Sequence, residues 1–259
     1  MSVNRERHGS VLSITIDRPR RRNAVDRPTA DALEAAFREF DRDEELAVAV
    51  LTGAGGTFCA GADLRAIEEE PERANRLERS DHAPMGPTRL RLTKPVIAAV
   101  EGHAVAGGLE LALWADLRVV AEDAVLGVYC RRWGVPLIDG GTARLPRLIG
   151  QARALDLVLT GRGVTADEAL AIGLATRLAP PGRTQEAAMQ LAEQLASLPQ
   201  TTMRADRASV IAAFDRPLEE ALLAEHDGGL AAIEAGGMED VARFVAGEGR
   251  HGAPAPRTE

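Results

Sequence analysis

Residues 95–108, PVIAAVEGHAVAGG, hold two apolar runs separated only by Glu101 and Gly102 and closed by a glycine pair, and the apolar stretch LELALWA follows at once. Runs that short and continuous read as strands covered on both faces, with the glycines marking where a helix must start. LRVVAE at 117–122 and AVLG at 124–127 repeat the arrangement of two short buried strands. Upstream, VLSITID at 11–17 alternates apolar and polar residues and is ended by Pro19, which predicts a half-buried strand that opens the fold. Asp26 and Pro28 then supply a cap and a first-turn proline for an amphipathic helix of about three turns carrying Leu33, Ala36, Phe37 and Phe40. LAVAVLTG at 46–53 is a further buried strand, and strand, helix and buried strand in repetition make an α/β core.

From 66 to 93 the chain is charged and weakly periodic, which predicts a surface segment with short helices and a flexible loop. TARLPRLIG and ALDLVLTG read as helices with an internal Pro146, and from about 183 to 246 the pattern is almost wholly helical. This divides the chain into an α/β core, 1–180, and a helical region, 181–259, whose GAPAPRTE end is expected to fray. With 259 residues, 45% of them hydrophobic, the chain can bury a full core. A net charge of −8 and 3% aromatics leave neither the basic stripe nor the stacking platform of a nucleic-acid binder. The first residues hold no signal-peptide core, and no window approaches the ~18 apolar residues of a membrane span. Cys59 and Cys130 are far apart and have no metal-ligand spacing, so they are expected as free thiols in a reducing compartment, the cytoplasm.

Several familiar signals are absent. GAGGTF at 53–58 follows a strand, but Phe58 stands where a dinucleotide fingerprint needs its third glycine, and no P-loop or nucleophile-elbow string occurs. The five histidines are scattered without metal-ligand spacing, and only His103, in a tight turn between apolar runs, is kept as of interest.

Two segments concentrate the chemistry. FCAGADL at 58–64 and AVAGGLELA at 104–112 each place small residues at the end of an apolar run where a helix must begin. Such starts leave backbone N–H groups without partners, and two convergent N–H donors stabilise a developing oxyanion. Either segment alone is better read as tight strand-to-helix packing.

Together and in this order the two segments resemble the enoyl-CoA hydratase/isomerase (crotonase) superfamily, as do RPRRRNAV at 18–25, Asp116, GGTARLPRLIG at 140–150 and the closing DVARFVAG. The resemblance runs through almost the whole chain. It implies a spiral of repeated β-β-α units with a C-terminal helical region that packs against a neighbouring subunit, in a homotrimer or dimer of trimers. It implies an enzyme acting on an acyl-CoA thioester, with coenzyme A arriving as part of the substrate and no other cofactor or metal. The oxyanion hole then falls on the N–H groups of Ala62 and Gly107, and the CoA moiety on Arg22 and Ala24 on one side and Ala60, Asp63, Leu64 and Arg65 on the other.

The family's hydration chemistry uses two glutamates, and the first maps onto Glu110, one helical turn beyond Gly107. The second maps onto Cys130. A neutral thiol is a poor acid/base, so Cys130 is either a buried wall residue or, with its pKa lowered by Arg131 or Arg132, a reactive thiol. Asp139, one position off an active-site aspartate of some relatives, is a candidate second carboxylate. Reversible hydration of a trans-2-enoyl-CoA is the leading expectation. A double-bond isomerase, or another lyase or hydrolase using Glu110 alone, is the alternative, and a non-catalytic CoA-binding scaffold subunit is the alternative of another class.

Overall fold

The computed structural model describes residues 2–78, 80–238 and 241–247; the predicted fraying at GAPAPRTE falls outside them. Strand β1 (Val3–His8) pairs antiparallel with β2 (Val11–Ile16), after which the chain winds through successive turns that share one plan. In the first turn β2 leads to Val25 and then to helix α1 (Arg27–Arg42). In the second, β3 (Val48–Gly53) leads to residues 59–62 and α2 (Leu64–Glu69). The third is β4 (Val96–Val100), β5 (His103–Val105) and α3 (Gly107–Trp114), and the fourth β6 (Leu117–Ala121), β7 (Val125–Gly127), a short 3-10 helix at Tyr129–Trp133 and α4 (Gly141–Ile149). Then come α5 (Gln151–Thr160), β8 (Gly163–Thr165), α6 (Ala166–Ala171), β9 (Arg177–Ala179), α7 (Thr184–Ala196), α8 (Gln200–Ala213), α9 (Leu218–Ala232) and α10 (Val241–Val245).

The first strand of each turn enters one sheet, ordered β1-β2-β3-β4-β6-β9 and parallel from β2 onward. The second extended piece enters another, in which β5 pairs with β7 and β7 with β8. Isolated bridges extend that second sheet in the same spatial order, Cys59 to Ala104 and Val25 to Ala62. Neighbouring turns therefore begin their helices side by side. That is the β-β-α spiral, and it is what positions the site.

The sequence dictates these layers. In β3, Ala49 and Leu51 face the main core while Val48 and Val50 face the opposite layer, so the strand reads as a continuous apolar run. Ala188, Leu191 and Ala192 of α7 cover that second face, so the first helix after residue 180 is a layer of the sheet and the chain leaves the core only from α8 on. The Asp26 side chain caps α1 by accepting from the Thr29 N–H at 3.1 Å, and the helix runs 16 residues, longer than its four core positions suggested, because Thr29 and Ala30 are buried too. Strand β1 was not foreseen: apart from Val3 it is exposed, held by its ladder to β2, and its charges suit an edge. β8 and β9, three residues each, are too short to show a period. Among the described residues no helix is long and apolar enough to cross a membrane, and no three metal-ligating side chains come together.

Candidate active site

The second sheet brings the two glycine-bearing segments into contact. Cys59 N–H donates to the His103 carbonyl at 3.0 Å and Val105 N–H to the Cys59 carbonyl at 3.1 Å, which locks residues 59–62 beside β5. Just beyond this pairing both chains turn into helices. Gly61 takes φ +100°, and a Cβ there would lie 3.0 Å from the Gly107 nitrogen and 2.9 Å from the Ala106 Cβ, so only glycine permits the approach. Ala106, at the start of α3, holds φ 54° and ψ −126°, a conformation L-residues rarely adopt. Among the described residues neither the Ala62 nor the Gly107 N–H has a hydrogen-bond acceptor. Two free donors on adjoining turns are the arrangement an oxyanion requires. The Met85 thioether packs over Gly107, where a Cβ would meet its sulfur at 2.7 Å.

Glu110 follows in the first turn of α3 and is 2% exposed. Its Oε1 accepts two backbone hydrogen bonds, from Asp139 N–H at 2.9 Å and from Gly141 N–H, the first residue of α4, at 2.8 Å. Oε2 has no partner among the described residues. Burial pushes the acid up to about 7, against the Gly141 N–H, with the Asp139 charge adding to the rise and the Asp139 N–H and Arg144 opposing it. Glu110 is thus a carboxyl group able to exist in both protonation states near neutrality, with one oxygen fixed and the other free.

Cys130 lies buried in the 129–133 helix and within the electrostatic reach of Glu110. Its thiol is held above the ordinary thiol range by burial and by the Glu110 charge, which together outweigh Arg131. The expectation of a thiol made reactive by Arg131 or Arg132 is therefore corrected: burial removes the water a thiolate needs. Cys59 is pushed further, to about 12, by complete burial. Asp139 is also buried, and its Oδ1 accepts from Met85 N–H at 3.0 Å and Thr88 Oγ1 at 2.6 Å. Burial raises this acid as well, opposed by Thr88, the Met85 N–H, Arg89 and Arg144.

The two segments expected to meet coenzyme A adjoin each other: Ala60 N–H donates to the Arg22 carbonyl at 3.1 Å. Arg22, Leu64 and Arg65 are exposed, Ala60 is half-buried and Ala24 is buried. The buried Asp63 carboxylate is engaged within the protein, capping α2 through the Ala66 N–H and pairing with Arg18 at 2.9 Å. His103 is exposed at the start of β5, away from any ligand set. Reasoning from sequence missed Met85, Thr88 and Arg144, which surround the Glu110 mount. The signal available for Arg144 was its place in the first turn of a helix opened by Gly140–Gly141; Met85 and Thr88 lie in the charged segment that has no periodicity to read.

Residues 6–233 match the family model described as Enoyl-CoA hydratase/isomerase. The chain is 39% identical over 199 residues to the enoyl-CoA hydratase EchA19 of Mycobacterium tuberculosis, covering 74% of this chain and 73% of that relative. It is also 39% identical over 224 residues to the carnitinyl-CoA dehydratase of Salmonella typhi, covering 85% and 84%. The crystal structure of the enoyl-CoA hydratase EchA1 from Mycobacterium marinum superimposes with a TM-score of 0.89 at 34% identity, covering 99% of this chain and 98% of that one. With the spiral, the paired turns and these likenesses in agreement, the chain belongs to the enoyl-CoA hydratase/isomerase family.

Proposed function

We propose that this protein is an acyl-CoA hydratase that adds water reversibly to a trans-2-enoyl-CoA, with Ala62 and Gly107 as oxyanion donors and Glu110 as the acid/base. The observation that carries the reading is the combination of two unpartnered N–H groups on adjoining turns with one buried carboxyl group near neutral pKa, one turn of helix away. The thioester oxygen accepts from both N–H groups. The free Oε2 of ionised Glu110 takes a proton from water as the hydroxyl adds to Cβ and the electron pair moves to the oxygen as an enolate. The protonated Glu110 then returns that proton to Cα, so one group serves both steps and one water is added. Cys130 supplies no second carboxylate, and its raised pKa keeps the thiol protonated near neutrality.

The same single carboxylate supports a second reading, a double-bond isomerase in which Glu110 carries a proton between Cγ and Cα of an enoyl-CoA. Separate incubations with crotonyl-CoA and with a 3-enoyl-CoA distinguish the two. A mass gain of one water with loss of the conjugated thioester absorbance is expected; migration of the double bond of a 3-enoyl-CoA without that gain would replace hydration by isomerisation. Glu110→Gln is expected to abolish turnover while acyl-CoA still binds, and unchanged activity would remove Glu110 from the mechanism.

The remaining features of the reading are a cytoplasmic enzyme needing no cofactor beyond the CoA of its substrate. The CoA lies along Arg22, Ala24, Ala60, Asp63, Leu64 and Arg65, with the helical region assembling copies into a trimer or dimer of trimers. Support for the assembly comes from the apolar side chains that α8–α10 and their connections leave exposed, among them Phe214, Leu218, Leu223 and Phe244.

A further inference from the structure

The N–H groups that hold Glu110 come from Asp139 and Gly141, in a turn that has only begun to be helical at Gly141. Three side chains fix that turn. The Asp139 carboxylate reaches across to residues 85–88, accepting from Met85 N–H at 3.0 Å and from the Thr88 hydroxyl at 2.6 Å. Arg144 closes the circuit from α4: Nη1 donates to the Asp139 carbonyl at 2.9 Å and Nη2 to the Thr88 carbonyl at 2.6 Å. Although two buried carboxyl groups lie within its electrostatic reach, among the described residues Arg144 makes no ion pair. Its fork is spent on two carbonyls while its charge acts on Glu110 and Asp139 together.

We propose that Thr88 and Arg144 are positioning residues of the reaction, which together with the Asp139 carboxylate form a clamp, buried at Thr88 and Asp139 and part-buried at Arg144, fixing the N–H pair on which Glu110 is mounted. This rests on the reading of Glu110 as the acid/base. The clamp matters because a carboxylate with one oxygen anchored presents the other in one place, and a displacement of about 1 Å costs on the order of 10²-fold in rate. It gives Asp139 a role that does not require its carboxylate to move a proton. It also couples the otherwise irregular segment before β4 to the acid/base, since Thr88 lies in the short 3-10 helix Pro87–Arg89 of that segment. The charged or titratable groups facing Glu110 are Asp139 and Arg144 from the turn and α4, and Cys130 from the 129–133 helix; Arg89 faces Asp139. Losing the clamp withdraws N–H donors from the Glu110 carboxylate, and losing Arg144 also withdraws a cation. Both changes favour the protonated acid.

The test compares the full-length protein with Thr88→Val, Thr88→Ser, Arg144→Met, Arg144→Lys and Glu110→Gln. The Glu110 carboxyl titration is followed by NMR of protein labelled with δ-13C glutamate, the resonance being assigned by its loss in Glu110→Gln. Thr88→Val and Arg144→Met are expected to move the midpoint upward by about 1 pH unit. With crotonyl-CoA they are expected to lower kcat by ~10–100-fold while KM stays within about threefold. Thr88→Ser, which keeps the hydroxyl, is expected to restore both. Arg144→Lys keeps the charge but cannot bridge both carbonyls, and it decides the case if Thr88→Val does not fold. Folded variants that titrate Glu110 at the wild-type midpoint and lose only thermal stability would overturn the clamp. Wild-type turnover by Glu110→Gln would instead overturn the reading beneath it, and the titration decides the clamp even if crotonyl-CoA is not converted.

Discussion

Glu110 is an acid whose burial makes its own ionisation costly, and that cost falls on the fold. Its value is about 7 in the native state against the ordinary 4.5. The folded protein therefore binds the proton more tightly than the unfolded chain, and this stabilisation is fully present below about pH 4.5. It is lost as pH rises through about 7, a loss on the order of 3 kcal/mol. Glu110→Gln has no such dependence, so the stability of the variant relative to the wild type should rise between pH 5 and pH 8 in urea denaturation; a pH-independent difference would contradict the raised value. Backbone strain beside it gives a second prediction. Ala106 occupies φ 54°, ψ −126°, which costs a non-glycine residue ~1–3 kcal/mol, so Ala106→Gly should raise the unfolding free energy by about 1 kcal/mol. At Gly61 the sign reverses. Gly61→Ala would place a methyl 3.0 Å from the Gly107 nitrogen, where the oxyanion is expected, and kcat should fall by ~10²-fold or more.

Among the elements, α7 and α8 lie at the transition from core to helical tail and are held by different forces. Leu191 on α7 is buried against Val48, Val50, Ile97 and Ala99 of the sheet, so Leu191→Ala should destabilise the protein by ~2–5 kcal/mol in equilibrium unfolding. Helix α8 buries no residue fully, and polar contacts anchor it. Arg207 donates to Asp116 Oδ1 at 2.9 Å and to the Leu92 carbonyl at 2.7 Å, while Asp116 Oδ2 accepts the Val96 N–H at 2.8 Å. Asp116 thus ties the end of α3 and the start of β4 to α8. Its appearance among the family-like residues has a structural reason here, a carboxylate satisfying two elements at once. Asp116→Ala should cost ~1–3 kcal/mol and increase hydrogen exchange first in α8; protection unchanged there would show that α8 is held by other contacts.

For the whole molecule, the helices beyond α7 leave Phe214 60%, Leu218 74%, Leu223 67% and Phe244 62% exposed, the apolar side chains on which the proposed assembly rests. If the proposed trimer is held through them, Leu223→Glu with Phe244→Glu should lower the mass measured by sedimentation from that of a trimer to that of a monomer, whereas a wild-type protein of monomer mass, or a mass unchanged by the substitutions, would overturn that assembly. The sequence by itself determined the strand and helix plan wherever burial imposes a period: VAVL, VIAAV and VVA are apolar because both faces are covered, and α1 is marked by its cap and its stripe. It also marked the two glycine-bearing segments, because small residues at strand-to-helix turns stand out against their neighbours, while the singling out of Ala62, Gly107 and Glu110 within and beside them came from the resemblance to the family. Exposed or very short strands such as β1, β8 and β9 were illegible, since pairing with neighbours distant in sequence, not side-chain pattern, creates them. Only the tertiary structure decided that Cys130 is buried beside Glu110 with its thiol pushed above the ordinary range, that α7 belongs to the sheet, and that Thr88, Asp139 and Arg144 meet around Glu110. Those outcomes depend on burial and on hydrogen bonds between segments more than 50 residues apart, as between Thr88 and Asp139, and a local pattern does not encode such distances.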